Sequence, residues 1–522
     1  YQGNSEGGDL KAALKRQNQR VCEQIREKNI LKNRLEKSQS QYQLAYDFKP
    51  MTRESYRHDR RRLQYSWGLW GVYLQTEKGG RWFWPSDFLE NNIRFQVLFE
   101  KICGKGTNPS QCLEKWKGKI YTFETVDFLS IPTPPYFRNI YRLAPLIPIQ
   151  EVNRKELLVR LKLMRDWYLN NMEPSGKMTY LYRSNVDRKS RTHNNMIRQF
   201  MTTLALFRLG NYLQDPALLQ AAEKNLEYNL NTFMKVEEDK KIAYIYFRKK
   251  AKLGAAAFAL MSVLESKSHP QREKLISYFL NFIIGLQQPN GSFKTFYLPV
   301  ARNDNHNFYP GEAMLALMTL YETNTKKYSH IPEVIRRAFG HYRKFFRNKP
   351  NPAFVPWQTM ALYRYYQLKK DPEVAKFILE MNDFLIEIQN TPKSVKTPEK
   401  DSMGRFFDPK KRQYGPPHAS STAIYSEGLV DAYRLAQDLK DSQRSQDYAY
   451  AIKWGLRSLL QLQYTLDNTY YLPNKRATVG ALHTTVTNGN TRVDNTQHST
   501  MAILNFFSLP DQGASILGTQ SD

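Results

Sequence analysis

"YPGEAMLALMTLYE" (Tyr309–Glu322) sets a proline, a glycine and a glutamate ahead of an apolar run. Proline suits a first helical turn, where its missing N–H costs no hydrogen bond. The Ala, Leu and Met residues that follow make a helix apolar on nearly every side, and such a helix is buried. The plan recurs five more times: "NNMIRQFMTTLALFRLG" from Asn194, "AKLGAAAFALMSVLE" from Ala251, "FVPWQTMALYRYYQL" from Phe354, "IYSEGLVDAYRLA" from Ile424 and "VDNTQHSTMAILNFF" from Val493. Amphipathic helical stretches alternate with these copies, at about 152–171, 216–234, 269–287, 331–347, 371–389 and 442–463. Twelve helices in strict alternation, amphipathic then apolar, predict six antiparallel hairpins that bury one another's apolar faces.

A second repeat marks the helix ends. "LNNMEPSGKMTYLYR" (Leu169–Arg183) matches "IGLQQPNGSFKTFYL" (Ile284–Leu298), and "LLQLQYTLDNTYYLP" (Leu459–Pro473) is a looser copy. Pro and Gly stop each helix, and the aromatics that follow fold the chain back onto it.

The first 150 residues follow other rules. Residues 1–45 are polar, with Leu10, Leu14, Val21, Ile25, Leu31 and Leu35 forming a narrow apolar stripe. This predicts an amphipathic or coiled-coil helix, serving as a stalk for membrane anchoring, as a self-association element, or as a helix packed on the body. "RESYRHDRRR" (Arg53–Arg62) is a basic cluster, readable as a solvated face or as a contact for phosphate or anionic lipid. Residues 46–150 read as a small α+β domain or cap. "SWGLWGVYLQT" and "KIYTFETVDFLSI" are strand-like, and "FLENNIRFQVLFEKI" reads as one helix between them.

The 522-residue chain carries a formal net charge of +28. That charge suits a polyanionic partner, or simply a lysine-rich surface. The basic residues are spread rather than striped, and no nucleic-acid motif is present. The three cysteines (Cys22, Cys103 and Cys112) show no zinc spacing, and nothing in the sequence calls for a metal or cofactor. Cys103 and Cys112 can close a short loop, which fits an oxidising compartment. No apolar run is long enough to span a membrane. The sequence starts at Tyr1, which fits a removed signal peptide or anchor and equally a truncated chain. The expected location is periplasmic, cell-envelope or secreted.

Six hairpins with small-residue apolar inner helices and a Pro-x-Gly-x-aromatic element resemble the (α/α)6 toroid, over about 370 residues from Glu151 to Asp522. That superfamily includes six-hairpin glycosidases, polysaccharide lyases, uronyl epimerases, terpene cyclases and protein prenyltransferases. The resemblance implies a ligand cleft at one end of the inner barrel. "QQPNGSF" is similar to the terpene-cyclase repeat, but the Asp-x-Asp-Asp motif is missing. No cysteine follows Cys112, so the prenyltransferase zinc site is missing too. The carbohydrate-active branches remain.

Aligned on their apolar cores, the inner helices carry Gln199, Ala255, Glu312, Gln358, Glu427 and Gln497 at one position. One reading is helix capping, which "DNTQ" (Asp494–Gln497) fits literally as a capping box. "YPGE", "VPWQ" and "IYSE" lack the capping partner. The other reading is a polar ring at the barrel mouth. On it, Glu312 and Glu427, with Asp494 as substitute, are the candidate catalytic carboxylates. A glycosidase needs two, about 5–5.5 Å apart for retention and roughly 6.5–9.5 Å for inversion. Asn194, Asn195, Arg198, Gln199, Lys252, His306, Tyr309, Trp357, Gln358, Tyr425, Arg492, Gln497 and His498 are the candidate substrate-binding residues, with His418 beside them. Asn, Gln, Arg and Trp are the types that recognise sugar hydroxyls, carboxylates and ring faces. The expected function is a carbohydrate-active enzyme on an anionic polysaccharide, either a hydrolase or a lyase or epimerase acting on uronates. The last two use a Tyr or His base and a cationic neutraliser. The alternative is a non-catalytic envelope component that binds or exports a polymer or docks a protein.

Overall fold

The computed structural model describes residues 41–56, 66–76, 79–93, 95–116, 119–132 and 135–517, with Arg16, Gln19 and Glu23 from the segment before them. The anticipated stalk therefore falls largely outside the described residues, as does the basic cluster beyond Tyr56. From Gln41 the chain is a strand, Gln41–Pro50, so the predicted helix does not reach residue 45.

Ile120–Pro132 is the central strand of an antiparallel five-stranded sheet. Gln41–Pro50 runs along one side, while Trp70–Thr76 and Pro135–Ile140 lie along the other, and Gly79–Phe83 pairs outside Trp70–Thr76. The segment expected as one helix is two, Pro85–Glu90 and Phe95–Cys103. The break falls where Asn91 caps the first helix and Asn92 takes φ +50°, a conformation asparagine tolerates better than most residues. Trp67, Val72, Phe88, Leu98, Phe99 and Leu113 form a core separate from the toroid's. Cys103 and Cys112 are joined as a disulfide.

The remainder is an (α/α)6 toroid. The inner helices are Met196–Leu213, Leu253–Glu265, Tyr309–Thr323, Val355–Lys369, Ala419–Asp438 and Val493–Phe507. The outer helices are Arg154–Asn171, Pro216–Phe233, Arg272–Gly285, Ile331–Asn348, Pro372–Ile386 and Ser442–Leu462. Each inner helix packs on the next, and the sixth packs on the first, closing the ring. Thr202 Oγ1 donates to Gln497 Oε1 (2.5 Å) across that closing seam. Inner helix five starts at Ala419, five residues before the expected Ile424, because "ASSTA" reads as loop in isolation but is helical when buried against neighbours.

The outer ring is fastened by one device used repeatedly. Gly176, Gly291, Gly404 and Gly480 each have positive φ and follow an outer helix. A Cβ on them would lie 2.4, 2.1, 1.8 and 2.0 Å from the carbonyl oxygens of Lys224, Arg337, Trp454 and Leu163, each on another outer helix. Only glycine allows that approach. Three buried or half-buried glutamines complete the clamp. Gln287 Nε2 donates to the carbonyls of Gly291 (3.4 Å) and Val334 (2.8 Å). Gln389 reaches Gly404 (3.0 Å) and Ala451 (2.9 Å) in the same way, and Gln463 reaches Gly480 (3.0 Å) and Arg160 (3.0 Å). Gly480 and Gln463 thus bind the turn after outer helix six to outer helix one. The turn after outer helix six closes on Gly480, beyond the Leu459–Pro473 stretch read as the looser copy.

Candidate functional site

The N-termini of the inner helices share one end of the barrel, framed by two antiparallel four-stranded sheets. One contains Leu181–Arg183, Arg188–Lys189, His483–Thr485 and Asn488–Arg492; the other contains Met234–Glu237, Ile242–Phe247, Lys250–Lys252 and Phe296–Leu298. Arg492 and Lys252 are the last residues of strands that run directly into inner helices six and two. Their cations are thereby fixed at the rim.

Asp494, in the first turn of inner helix six, is the most tightly held carboxylate of this end. Arg492 Nε and Nη2 donate to it at 2.5 and 2.7 Å, and Arg198 Nε pairs with it at 2.9 Å. Burial works to raise its pKa, but the two guanidinia overcome this and hold it at about 2. Arg198 also donates to the Tyr180 hydroxyl. The Asp494 carboxylate is buried, yet the Arg198 side chain is 31% exposed and that of Arg492 19%, so both cations still face the mouth.

Glu312 is buried beside them. A Cβ on Gly254 would fall 1.9 Å from Glu312 Oε2, so the carboxyl occupies the space that a side chain at 254 would take. That oxygen has no hydrogen-bond partner. Burial pushes the group up to about 8, with Lys252 and Arg198 pulling the other way. Glu312 is therefore protonated, and a proton donor, at neutral pH. Tyr309 lies over the same site. Lys252 Nζ is 6.0 Å from its ring centre, and burial followed by the Glu312 charge raises its hydroxyl pKa.

Two histidines complete the group. Burial pushes both His418 and His498 down to about 4. Arg492 and Arg198 lower them further, and Asp494 raises them. Both are neutral at pH 7. His498 Nδ1 is buried without a partner, and its ring centre is 6.0 Å from that of Trp357. Arg198, Lys252, Tyr309, Glu312, Trp357, His418, Arg492, Asp494 and His498 thus draw on all six inner helices or the residues leading into them.

Other predicted residues lie elsewhere or do other work. Glu427 is not part of this group. Because its helix starts early, it is the ninth residue of that helix, whereas Glu312 is the fourth of its own. The carbonyl of Glu427 accepts from Asn505 Nδ2 (2.8 Å), near the end of inner helix six. Burial pushes its carboxyl up to about 8, and the charges acting on it are Arg208 and Asp431. Those belong to an ionic network at the far ends of the inner helices, with Arg208–Glu265 (2.9 Å), Arg364–Glu322 and Arg434–Asp431. The anticipated Glu312–Glu427 pair is thus split between different charge clusters. His306 packs against Tyr342 and Phe345 of outer helix four, and Tyr425 against Phe406. Asn195 caps inner helix one, and Asn194 accepts from Gln199 Nε2 (2.8 Å). Gln358 is buried with neither amide atom paired, and Gln497 Nε2 is unpaired below the rim.

The capping reading fails for its best example. Inner helix six has Arg492 at its N-cap with no side-chain cap, and Asp494 is occupied by arginines instead. Gly254 and Tyr180 were not legible in the sequence as site residues. A glycine inside an alanine-rich helix gives no sign of the carboxyl lying against it.

No protein-family profile and no curated protein matches the chain. Among solved structures, a D-mannose isomerase is 10% identical with a TM-score of 0.49, covering 69% of this chain and 99% of that one. The cellobiose 2-epimerase of Spirochaeta thermophila is 12% identical with a TM-score of 0.49, covering 71% and 98%. An unsaturated glucuronyl hydrolase specific for heparin is 12% identical with a TM-score of 0.48, covering 68% and 98%.

Proposed function

We propose that the barrel mouth acts on a uronate-containing polysaccharide by removing the proton α to the sugar carboxylate. The carrying observation is the set of unlike groups around Arg198: two cations at the rim, a neutral histidine with a free ring nitrogen, and a protonated buried carboxyl. Arg198 and Arg492 bind the uronate carboxylate and stabilise the charge that develops on it. His498 Nδ1 takes the α-proton. Its low pKa makes it a weak base in the free protein, and the arriving carboxylate raises it toward the working range. Glu312 returns a proton, either to the departing 4-oxygen, giving elimination, or to the carbon from its other face, giving epimerisation. Hydrolysis by two carboxylates has less support, since Glu427 is separated from Glu312 and Asp494 is held ionised by two arginines. The Cys103–Cys112 disulfide supports an oxidising envelope or secreted location, testable by mass change on reduction of the native protein.

Polyuronates of different backbones, incubated with the protein in deuterated water, test the reading. Deuterium incorporated at the carbon α to the carboxylate, or an unsaturated uronate end, is the expected result. His498→Ala should abolish it. Binding without exchange or cleavage on any polyuronate would favour a non-catalytic polymer-binding role, a reading to which the burial of Trp357, Gln358 and Glu312 lends some weight.

A further inference from the structure

Two basic segments lead straight into the mouth. The loop after strand Arg188–Lys189 ends where inner helix one begins, and strand Lys250–Lys252 ends where inner helix two begins. Arg188, Lys189 and Arg191 are exposed on the one, and Arg248, Lys249 and Lys250 on the other. The segments touch, for Arg248 Nη2 donates to the Thr192 carbonyl. Burial lowers the pKa of Lys252, and Lys250 leads the neighbouring cations that lower it further, with Arg302 and Arg198 behind. The exposed cations thus share one field with Lys252 and Arg198 of the mouth. Among the described residues none of the six forms an ion pair. Asp187, the acid beside them, accepts instead from the Tyr182 hydroxyl (2.6 Å) and Asn474 Nδ2 (3.1 Å). Arg248 and Lys249 are the two turn residues between strands Ile242–Phe247 and Lys250–Lys252, and both take positive φ, +50° and +59°. Asn-Gly is the favoured pair for such a turn, because longer side chains meet a steric cost there. The hairpin presents two cations at a position whose conformation selects against them.

We propose that these two segments form a binding track for a polyuronate chain, holding the units that flank the one seated between Arg198 and Arg492. The proposal deepens the uronate reading of the mouth and rests on it for the identity of the anion. Its chemistry is charge complementarity. Successive carboxylates along the chain meet successive cations, first Arg198 and Lys252 at the mouth, then Lys250 and Lys249, and Arg191 across the Arg248–Thr192 contact. Exposed side chains on two hairpins make no closed pocket, so the track reads charge and tolerates different sugar backbones. The substrate is then recognised over several units rather than one, and affinity grows with chain length and falls with salt.

Calorimetric titration of the intact protein with galacturonate, polygalacturonate, fully methyl-esterified polygalacturonate and a DNA duplex tests it. Per uronate unit, polygalacturonate should bind at least about tenfold more tightly than galacturonate. About 1 M salt, which shortens the screening length to about 3 Å, should erase that gain, and so should the methyl ester. The triple variant Arg191→Ala, Lys249→Ala, Lys250→Ala should weaken polygalacturonate by at least about tenfold and leave galacturonate within about twofold. A polymer no tighter per unit than the monosaccharide, or unchanged in the triple variant, overturns the proposal. DNA bound as tightly as polygalacturonate and weakened by the same variant overturns it too, since the track would then read phosphate. The length and salt series on the wild type decide even if the variant fails to fold. Track binding without deuterium exchange or cleavage of any polyuronate would leave the track standing and remove the proposed reaction. Exchange or cleavage with polymer affinity unchanged in the triple variant would remove the track alone.

Discussion

The carboxyl of Glu312 lies against the backbone of Gly254, where a methyl group would come within 1.9 Å of Oε2. One inner helix thus supplies the acid and its neighbour supplies the missing side chain that makes room for it. Gly254→Ala should force the carboxyl aside, costing roughly 1–3 kcal/mol as overpacking does. It should also lower any turnover that the proposed polyuronate assay detects. In a Glu312→Ala background the same substitution should cost much less, and thermal melts of the four proteins measure that coupling.

Glu312 also sets a pH dependence. Its pKa rises from 4.5 to about 8 on folding. Its protonated form is fully compatible with the fold below pH 4.5, and stability is lost as pH rises toward 8. Glu427 acts in the same direction. Glu312→Gln should therefore be more stable than wild type at pH 9, by roughly 1–3 kcal/mol, and nearly equal at pH 4. Denaturant melts at the two pH values check this. A variant less stable at pH 9 would show that Lys252 and Arg198 hold the group ionised.

Asp494 behaves oppositely. Its pKa is held at about 2, below the ordinary 3.8, so its stabilisation is present above pH 4 and lost as pH falls through 2. Asp494→Asn leaves Arg198 and Arg492 facing one another. It should cost about 2–4 kcal/mol at pH 7, less than a fully buried pair because both arginines keep some solvent. The deficit should shrink below pH 3, as followed by circular dichroism.

Gln463 donates one amide to two carbonyls, those of Gly480 and Arg160. Gln463→Leu leaves both without that donor and should lower stability by roughly 2–4 kcal/mol. Gln389→Leu should cost a similar amount, since its two bonds match. Equal losses would show that the closing seam is no weaker than an internal one.

The helical plan was legible because it rests on periodicity, and eleven of the twelve helices begin within about three residues of where the apolar pattern put them. What failed was local. Asn91–Asn92 broke an expected helix through one residue at positive φ, and "ASSTA" joined one through burial, a tertiary effect that no short window shows. That early start removed Glu427 from the mouth. Arg198, Lys252, Arg492 and His498 could be picked out as candidates because they flank the apolar copies, and the structure brings them to one end of the barrel. Gly254 was missed because its role is an absence.

Gly480 and Gln463 join the last hairpin to the first, and this changes how the molecule can come apart. An open row of hairpins has two ends, each with one neighbour, and frays from them. Here the outermost unit does not exist. Releasing any one hairpin breaks two seams at once, so partial opening costs more than fraying the free end of an open row. Heated or pulled, this domain should resist without early losses and then fail as a single body.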